Sequence, residues 1–304
     1  MRSSLGMACI ALSAGLACTA ASAAELLDPT PRVAVMSAFA PEWAALIEDT
    51  QDTQQHLLHG RRFVTGKLAG KDVVLFLSGI SMVNAAMTTQ QAIDHFEVTN
   101  IVFSGIAGGV DPSLAIGDVV VAEQWGQYLE AVFARDTGEG YAVPPFIAAP
   151  FGNHGMIHPK NTEVLRDGLE QPEQRFWFPV DGKLLETAKA VAGNVTLEKC
   201  AEADKCMSHQ PRVVVGGNGV SGQVFVDNTA FREFTYETFT ARVLDMESAA
   251  TAHVAYVNDV PFIAFRSLSD LAGGGEGENE MGIFFGLASR NSATVVKAFL
   301  EALP

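Results

Sequence analysis

The stretch that decides the fold is Ala241–Asp270, ARVLDMESAATAHVAYVNDVPFIAFRSLSD. Small and apolar residues recur through its middle at helical spacing, and the apolar run Val260–Phe265 predicts a buried strand. The predicted order is therefore strand, helix, strand. Glu247 lies where the first strand enters the helix, and Asp270 follows the second strand. Both positions belong to the sheet edge where open α/β folds bind ligands, so we expect the two carboxylates to face one crevice.

Either carboxylate alone has an ordinary explanation, because acidic residues commonly cap helices and begin turns. The combination of Met246 and Glu247 with the later Arg266, Ser269 and Asp270 resembles the purine nucleoside phosphorylase and nucleosidase superfamily, in particular the methylthioadenosine/S-adenosylhomocysteine nucleosidases. In that family a Met-Glu pair holds the ribose, and the Asp of an R-x-[IL]-S-D stretch protonates the base. The resemblance implies that Met246 and Glu247 bind ribose, that Ser269 lies at the base and that Asp270 is the catalytic acid.

Residues 1–23 are typical of a secretory signal peptide. They carry one basic residue, Arg2, then an apolar run that ends at Cys18, and the small residues Ala21-Ser22-Ala23 as a cleavage site. The run is too short to span a membrane, and no later segment of the sequence reaches the roughly 20 apolar residues that a span needs. A lipid anchor on Cys18 is the alternative, but Gly15 stands where the lipoprotein pattern has a Leu-like residue. We expect a periplasmic or secreted protein.

Composition limits the partners that the protein can have. The formal charge is −15, and it becomes one unit more negative when the signal peptide leaves, because that segment contains Arg2 and no acid. Such an acidic protein should repel nucleic acid and anionic membranes. No Pro/Ser-rich linker or charge block divides residues 24–304, so we expect one α/β domain. The resemblance implies a central mixed, twisted sheet flanked by helices, and a homodimer in which a neighbouring subunit completes the pocket.

Cys200 and Cys206 are the cysteines that remain once the signal peptide is removed. An even pair in the polar loop of an exported protein most simply forms a disulfide. A metal site would need more nitrogen or sulfur ligands than the neighbouring His209 provides. His154 and His158 are spaced for a metal only on a helix, which the surrounding Gly and Pro residues disfavour. We therefore expect a structural disulfide, no metal and no cofactor.

The first motif of the mature chain is a strand that meets a helix. Arg32–Phe39 predicts a strand, and the proline of Pro41–Ile47 suits the first turn of a helix. Glu42 then lies at the same sheet edge as Glu247 and Asp270. A first-turn acid is ordinary, since the helix dipole favours it. The resemblance, however, implies that Glu42 activates the attacking water.

A predicted hairpin, Phe63–Leu68 with Asp72–Leu77, leads into Ser78-Gly79-Ile80 and a helix over Met82–Phe96. Ser78 in this position could be an ordinary helix N-cap. With the helix amides it could also form a polar pocket that binds water or an oxyanion. The family has this S-G-I turn, and the resemblance implies that Ser78 and Arg266 position the attacking water.

A glycine-rich segment, Ser104–Gly109, follows the buried strand predicted over Asn100–Phe103. Glycine in this position indicates close approach of the backbone to a ligand or to another strand. The spacing is not that of a dinucleotide-binding loop. The segment resembles the family's S-A-G-G loop, which implies that Ala107 and Gly108 line the ribosyl and base site.

A second glycine-rich segment, Gly216–Val226, resembles the family segment whose phenylalanine stacks on the purine. The resemblance implies that Phe225 stacks on the base and that the backbone of Val226 bonds its edge. Gln223 departs from the family pattern, which has an Asp there.

Two regions are less regular. Residues 124–180 carry several prolines and few periodic apolar positions, and we interpret them as a divergent insert that forms a loop over the site or at a subunit contact. Gly282–Leu303 predicts an amphipathic closing helix, and Gly273–Glu278 before it predicts a mobile lid. The resemblance implies that Phe284 contacts the 5′ substituent, although a core phenylalanine is an equally plain explanation.

The implied reaction breaks a purine N-glycosidic bond through a ribosyl oxocarbenium ion. Asp270 has leucine neighbours that could raise its pKa into the range a proton donor needs, and its second oxygen could accept from a 6-amino group. Ionised Glu247 would bind the ribose hydroxyls. Water is preferred over phosphate as the nucleophile, because Glu42 would repel an anion and Ser104–Gly117 contains no basic residue.

Two other functions remain open from the sequence: phosphate-dependent phosphorolysis, and nucleoside binding or storage without turnover. Joint retention of Glu42, Glu247, Arg266 and Asp270 favours an enzyme, because storage or simple binding would not require all four. The predicted substrates are 6-amino purine nucleosides such as methylthioadenosine, S-adenosylhomocysteine or adenosine.

Overall fold

The structure is a computed structural model, and it describes residues 26–202, 205–275 and 277–304. The predicted signal peptide and residue 276 of the predicted lid therefore lie outside the described residues. The helices are α1 Ala40–Ile47, α2 Met82–His95, α3 Gly182–Ala192, α4 Thr229–Phe239, α5 Ser248–Val257 and α6 Met281–Ala302.

Twelve of the described strands pair into one mixed sheet, and the others form two-stranded ribbons. In chain order the strands are β1 Asp28–Ser37, β2 Gln51–Leu58, β3 Arg61–Leu68, β4 Lys71–Leu77, β5 Phe96–Gly109, β6 Val119–Val121, β7 Gln124–Gln127, β8 Ala131–Phe133, β9 Arg135–Asp136, β10 Tyr141–Ala142, β11 Ile157–Pro159, β12 Thr162–Val164, β13 Glu173–Arg175, β14 Trp177–Pro179, β15 Cys200–Glu202, β16 Lys205–Cys206, β17 Val213–Val215, β18 Asn218–Ser221, β19 Ala241–Asp245 and β20 Phe262–Asp270.

The central strand of the sheet is β5. Strands β1 and β20 run parallel to it, and β19 pairs antiparallel with its last two residues, Gly108 and Gly109. Beyond β1 the sheet continues with β4 in parallel and then with β3 and β2 in antiparallel pairing. The predicted α/β fold, a single domain with a mixed sheet flanked by helices, is confirmed. Because β1, β5 and β20 are parallel, their carboxyl ends reach the same edge.

Strand β20 shows how this edge is built. All nine of its residues are buried, which explains why its first half is a continuous apolar run. The sequence predicts only Val260–Phe265, but the strand continues to Asp270, because β5 and β6 both pair with its polar second half and satisfy its backbone. Asp270 is therefore the last residue of the strand and lies beside Gly108 of β5.

The predicted hairpin is also confirmed. Strands β3 and β4 pair antiparallel around Ala69 and Gly70, whose φ angles of 50° and 78° define the two-residue turn that suits twisted strands. Strand β2 and helix α4 are not predicted from the sequence. The eight residues of β2, QDTQQHLL, are largely exposed at the edge of the sheet and carry no alternation of apolar and polar side chains.

The insert at residues 124–180 does not form a loop over the cavity described below, and none of its residues lines that cavity. Its first and last strands, β7 and β14, join the main sheet. Its aromatic side chains pack with those of α4, and Phe176 stacks on Phe239 at 5.2 Å between ring centroids. We call this group the aromatic cluster; it comprises Tyr128, Phe151, Phe176, Trp177, Phe231, Phe234 and Phe239. The insert therefore adds a second core, and its predicted place at a subunit contact stays a prediction.

Candidate active site

A cavity of about 350 Å³ lies where the carboxyl ends of β1, β5 and β20 meet the end of β19. Its wall is mostly apolar but contains four acidic side chains, and no lysine, arginine or histidine is among the described residues that line it. The lining residues are Ala38, Phe39, Glu42, Ile80, Ile106, Ala107, Gly108, Val224, Phe225, Val226, Leu244, Asp245, Met246, Glu247, Ser269, Asp270 and Met281. The cavity thus brings together the three carboxylates predicted to carry the chemistry, Glu42, Glu247 and Asp270.

Glu42 is fixed by backbone amides from two elements. Its Oε2 accepts hydrogen bonds from Ala38 N at 2.6 Å and Phe39 N at 3.3 Å, and its Oε1 accepts one from Ile106 N at 2.7 Å. Only 1% of the residue is exposed. Burial raises the pKa of the Glu42 carboxyl, while the charge of Arg266 and the three amides oppose that rise. A carboxylate held in this way has a fixed orientation and can accept a proton.

Glu247 precedes the first residue of α5 and lines the cavity. Its Oε1 accepts a hydrogen bond from Ser81 N at 2.8 Å, and its Oε2 lies 3.5 Å from Nη2 of Arg266. Burial, and the neighbouring charges of Asp245 and Glu42, raise the pKa of Glu247 to about 7 against the opposing effect of Arg266. Glu247 therefore changes charge near neutral pH.

Asp270 forms the third acidic part of the wall. Its Oδ1 accepts a hydrogen bond from Ala272 N at 2.8 Å, and Ser269 Oγ donates to its Oδ2 at 3.0 Å. Burial raises the pKa of the Asp270 carboxyl, as the leucine neighbours in the sequence predict, and these hydrogen bonds work in the other direction. Asp270 is therefore a carboxyl that can donate a proton to a ligand in the cavity from the end of β20.

Arg266 lies behind the cavity wall and is fully buried. Its Nη1 donates to Ile106 O at 3.2 Å, and its guanidinium carbon lies 4.0 Å from the ring centroid of Phe103. A Cβ atom at Gly105 would lie 2.3 Å from Arg266 Nη1 and 2.8 Å from Glu42 Oε1. A larger residue than glycine at position 105 would clash, because the Arg266 guanidinium and the Glu42 carboxylate both lie close to this part of β5.

The residues predicted to contact base and ribose also reach the cavity. Ala107, Gly108, Val226, Met246 and Ser269 line it. Phe225 lines it too, but 56% of that residue is exposed, so its ring is open to solvent on one side.

Like Arg266, the predicted site residues Ser78 and Phe284 lie outside the wall of the cavity. The Ser78 hydroxyl is buried and donates to Gly79 O at 2.8 Å, so the geometry gives no support to its predicted role in positioning water. Phe284 packs in a small apolar group with Ile116, Met207 and Leu287, and the equally plain explanation of a core side chain fits it. Helix α6 presents Met281, one turn before Phe284, to the cavity. The roles of Ser78 at the water and of Phe284 at the 5′ substituent stay predictions.

Asp245 and Met281 are cavity residues to which the sequence analysis gave no role. Asp245 lies in the quoted stretch Ala241–Asp270, and its position two residues before Glu247, at the end of the first predicted strand, was the available signal. Met281 had no signal beyond its place at the start of a predicted helix, since a methionine at that position is typical of a core residue.

The remaining structural predictions concern the cysteines, metals and membranes. Cys200 and Cys206 form a disulfide across the β15–β16 ribbon, as predicted. Within residues 26–202, 205–275 and 277–304, no group of three or more His, Cys, Asp or Glu side chains is arranged to hold a metal ion. None of the described helices is both long and apolar enough to cross a membrane.

The fold agrees with comparisons to known proteins. The chain belongs to the phosphorylase superfamily, whose family model matches residues 32–301. The resemblance drawn from the motifs is thus confirmed at the level of the family.

Individual relatives are similar over most of their length. A 5′-methylthioadenosine/S-adenosylhomocysteine nucleosidase of Tolumonas auensis is 29% identical over 276 residues, which are 90% of this chain and 100% of that protein. Bark storage protein A of Populus deltoides is 26% identical over 262 residues, which are 84% of this chain and 82% of that protein. The crystal structure of a 5′-methylthioadenosine/S-adenosylhomocysteine nucleosidase from Neisseria meningitidis, in complex with methylthio-immucillin-A, superposes with a TM-score of 0.66 at 26% identity and covers 90% of this chain and 99% of that one.

Proposed function

We propose that this protein hydrolyses the N-glycosidic bond of a purine nucleoside and releases the free base. The observation that carries the proposal is the meeting of Glu42, Glu247 and Asp270 on one cavity of about 350 Å³. These residues come from three distant parts of the chain, and each carboxyl is held by backbone or side-chain hydrogen bonds. Such preorganised charged groups are what a reaction with developing charge requires.

The leaving base needs a proton, and Asp270 is the residue proposed to supply it. When the bond between C1′ and the base breaks, its electron pair moves to the base, which becomes an anion unless it is protonated. The raised pKa of Asp270 favours a protonated carboxyl that can give its proton to N7 of the purine. Ser269, which donates to Oδ2 of Asp270, sets the direction of this carboxyl.

The ribose and the nucleophile are the tasks of the other two carboxylates. Ionised Glu247 accepts hydrogen bonds from the ribose hydroxyls, and the attraction grows as the ring becomes cationic. Glu42 holds a water on the far side of C1′ and takes its proton as the new C–O bond forms. Its fixed orientation between the amides of Ala38 and Ile106 contributes to the rate, because a positioned water needs less ordering in the transition state.

Water is favoured over phosphate as the nucleophile. A phosphate would have to enter a cavity with four acidic side chains and no basic residue among its described lining residues. The charge of Arg266 is already engaged by Asp245 and Glu247. Burying an additional anion beside these carboxylates is unfavourable in a medium of low dielectric constant.

The proposed substrate class is a 6-amino purine nucleoside, such as methylthioadenosine, S-adenosylhomocysteine or adenosine. The relatives from Tolumonas auensis and Neisseria meningitidis carry the first two substrates in their names. The largely apolar wall near Phe39, Ile80, Val224 and Met281 suits the apolar thioether part of a 5′ substituent.

The test is to incubate the purified protein with methylthioadenosine, S-adenosylhomocysteine, adenosine and inosine, with and without phosphate, and to measure free base. We expect base release without phosphate, and faster release from the 6-amino nucleosides than from inosine. Base release that depends on phosphate would replace the hydrolase by a phosphorylase.

Nucleoside binding or storage without turnover is the second candidate, and the similarity to bark storage protein A of Populus deltoides favours it. Against it stands the complete set of Glu42, Glu247, Arg266 and Asp270 around one cavity. Absence of base release from every nucleoside, together with saturable nucleoside binding, would support this candidate.

We further propose that the protein is a homodimer. Phe225 is 56% exposed at the mouth of the cavity, and Ile80, Val83, Met87 and Val224 are exposed apolar residues as well. A second copy of the chain on this surface would cover them and complete the cavity. Light scattering should give twice the monomer mass for the protein and the monomer mass for Val83→Asp, which should also lose activity. Leu57→Asp, at an exposed apolar position on β2, is the control that should remain dimeric.

We also propose export to the periplasm or the medium, with cleavage after Ala23. The signal-like sequence of residues 1–23 and the disulfide between Cys200 and Cys206 support this location. Cell fractionation and amino-terminal sequencing of the mature protein test it, and a cytoplasmic protein that keeps Met1 would contradict it.

A further inference from the structure

Asp245 is a buried carboxylate of the cavity that the mechanism above does not use. It is the last residue of β19, it is 5% exposed, and it precedes Glu247 by two residues. One oxygen of the Asp245 carboxylate binds the backbone of Glu247, and the other lies beside the guanidinium of Arg266.

The Oδ1 atom of Asp245 organises the backbone at the entrance to α5. It accepts hydrogen bonds from Glu247 N at 3.0 Å, from Ser248 N at 3.1 Å and from Ser221 Oγ at 2.5 Å. Ser221 Oγ accepts in turn from Ala249 N at 2.8 Å. The peptide from which the Glu247 side chain leaves is therefore fixed by the Asp245 carboxylate.

The Oδ2 atom of Asp245 forms an ion pair with Arg266, whose Nε–H donates to Ser248 Oγ at 2.9 Å. Asp245 Oδ2 lies 2.8 Å from Nε of Arg266, whereas Oε2 of Glu247 lies 3.5 Å from Nη2 of the same guanidinium. The closer carboxylate receives the larger share of the attraction, because Coulomb energy falls with distance. Arg266 therefore interacts more strongly with Asp245 than with Glu247.

The number of buried charges makes this difference important. Two buried carboxylates, Asp245 and Glu247, form ion pairs with the buried guanidinium of Arg266, and its charge also acts on the buried carboxylate of Glu42. Tyr128 is a further titratable group that faces Asp245; burial and the Asp245 charge raise the pKa of its phenol, so it stays neutral. With all three carboxylates ionised the group would bury an excess of negative charge, and that arrangement is costly.

We propose that Asp245 is a positioning residue that draws Arg266 away from Glu247 and thereby sets the pH at which the ribose-binding carboxylate becomes charged. This inference rests on the proposed function, in which ionised Glu247 binds the ribose. The charge of Asp245 is one of the causes that raise the pKa of Glu247 to about 7, and the charge of Arg266 opposes it. Ribose binding then strengthens as the pH rises through neutrality.

The test is the pH profile of kcat/KM for methylthioadenosine hydrolysis in the wild type, Asp245→Asn, Asp245→Glu and Ser221→Ala. Asp245→Asn removes the negative charge and frees Arg266 for Glu247, so its acidic limb should move to lower pH by about one unit, while kcat falls. Asp245→Glu restores the charge and should return the limb towards its wild-type position. Ser221→Ala removes one hydrogen bond to Asp245 but no charge, and it should leave the limb in place.

A structural role alone would lower kcat in Asp245→Asn without moving the acidic limb, and that result would overturn the proposal, as would a shift to higher pH. If Asp245→Asn does not fold, Asp245→Ser carries the same test, because its hydroxyl can still accept from the amides of Glu247 and Ser248.

Failure of the proposed function has a separate signature. If the wild-type protein releases no base from any nucleoside, the hydrolase proposal fails, and the titration is then followed without turnover. The pH dependence of the free energy of unfolding should still differ between wild type and Asp245→Asn, because the pKa of Glu247 differs between them. Identical profiles for the two proteins would overturn the role of Asp245 on its own.

Discussion

Oε1 of Glu42 accepts a hydrogen bond from the amide of Ile106 at 2.7 Å, so a side chain from α1 is attached to the end of the central strand β5. The same residue of β5 uses its carbonyl oxygen to accept from Arg266 of β20 at 3.2 Å. The backbone of Ile106 therefore positions both Glu42, the general base proposed to activate the water, and the guanidinium of Arg266, which forms ion pairs with Asp245 and Glu247.

This alignment predicts a strong effect of Glu42→Gln on activity. We expect kcat to fall by about 10²- to 10⁴-fold, because an amide cannot take the proton of the attacking water. The measurement is single-turnover base release from methylthioadenosine. Glu48→Gln changes an exposed glutamate just beyond the same helix and should keep full activity. An active Glu42→Gln enzyme would show that the water is deprotonated by another group.

Asp270→Asn should lose activity in a manner that depends on the leaving group. We expect a loss of about 10²- to 10⁴-fold for adenosine-type nucleosides, because their base needs a proton as the bond breaks. A ribosyl substrate with a p-nitrophenolate leaving group needs no such proton and should be affected much less. Equal losses on both substrates would contradict the role of Asp270 as acid.

Gly105→Ala should disrupt the site by a steric clash, because it adds a methyl group and changes no charge. The added Cβ would lie 2.3 Å from Arg266 Nη1 and 2.8 Å from Glu42 Oε1, so both charged groups must move. We expect a loss of activity and a destabilisation of about 1–3 kcal/mol, measured by chemical unfolding. Gly282→Ala, in a helix and with no atom within 4 Å of the new Cβ, should be neutral or slightly stabilising.

The buried acids also predict how stability depends on pH. The pKa of Glu247 rises from 4.5 to about 7 on folding, so the native state binds more protons than the unfolded state between these values. Its contribution to the free energy of unfolding is therefore most favourable below about pH 4.5, falls as the pH rises, and is lost above about pH 7. The raised pKa values of Glu42 and Asp270 act in the same direction.

Glu247→Gln isolates this effect. Between pH 4.5 and pH 7 the wild type should lose stability relative to the variant by on the order of 2–3 kcal/mol, measured by urea unfolding at a series of pH values. A difference that stays constant with pH would show that Glu247 is ionised throughout this range.

Much of the fold was predictable because its elements follow simple rules. The β3–β4 hairpin has a two-residue turn with glycine, and β20 begins with a continuous apolar run. Strand β2 was missed because an exposed edge strand needs no apolar alternation. Strands β5 and β20 were predicted too short, because their polar ends are strands only by virtue of the neighbours that pair with them.

The site was predictable to the extent that its residues come from motifs at strand ends. Glu42, Glu247 and Asp270 follow β1, β19 and β20 or end them. Parallel pairing with β5 gathers the ends of β1 and β20, and antiparallel pairing with the last residues of β5 brings the end of β19 beside them. The direction of a side chain within a helix is a different matter. Whether Met281 or Phe284 faces the cavity depends on the rotation of α6 about its axis, which is set by packing against the sheet.

The aromatic cluster has a consequence for the shape of the cavity. Val226 and Leu244 face the cavity on one side and pack against the aromatic cluster on the other. The wall therefore has a stiff backing, contributed in part by the insert at residues 124–180 and in part by α4. Substitutions within the aromatic cluster could therefore change the volume available to the base, while the side chains that line the cavity stay unchanged.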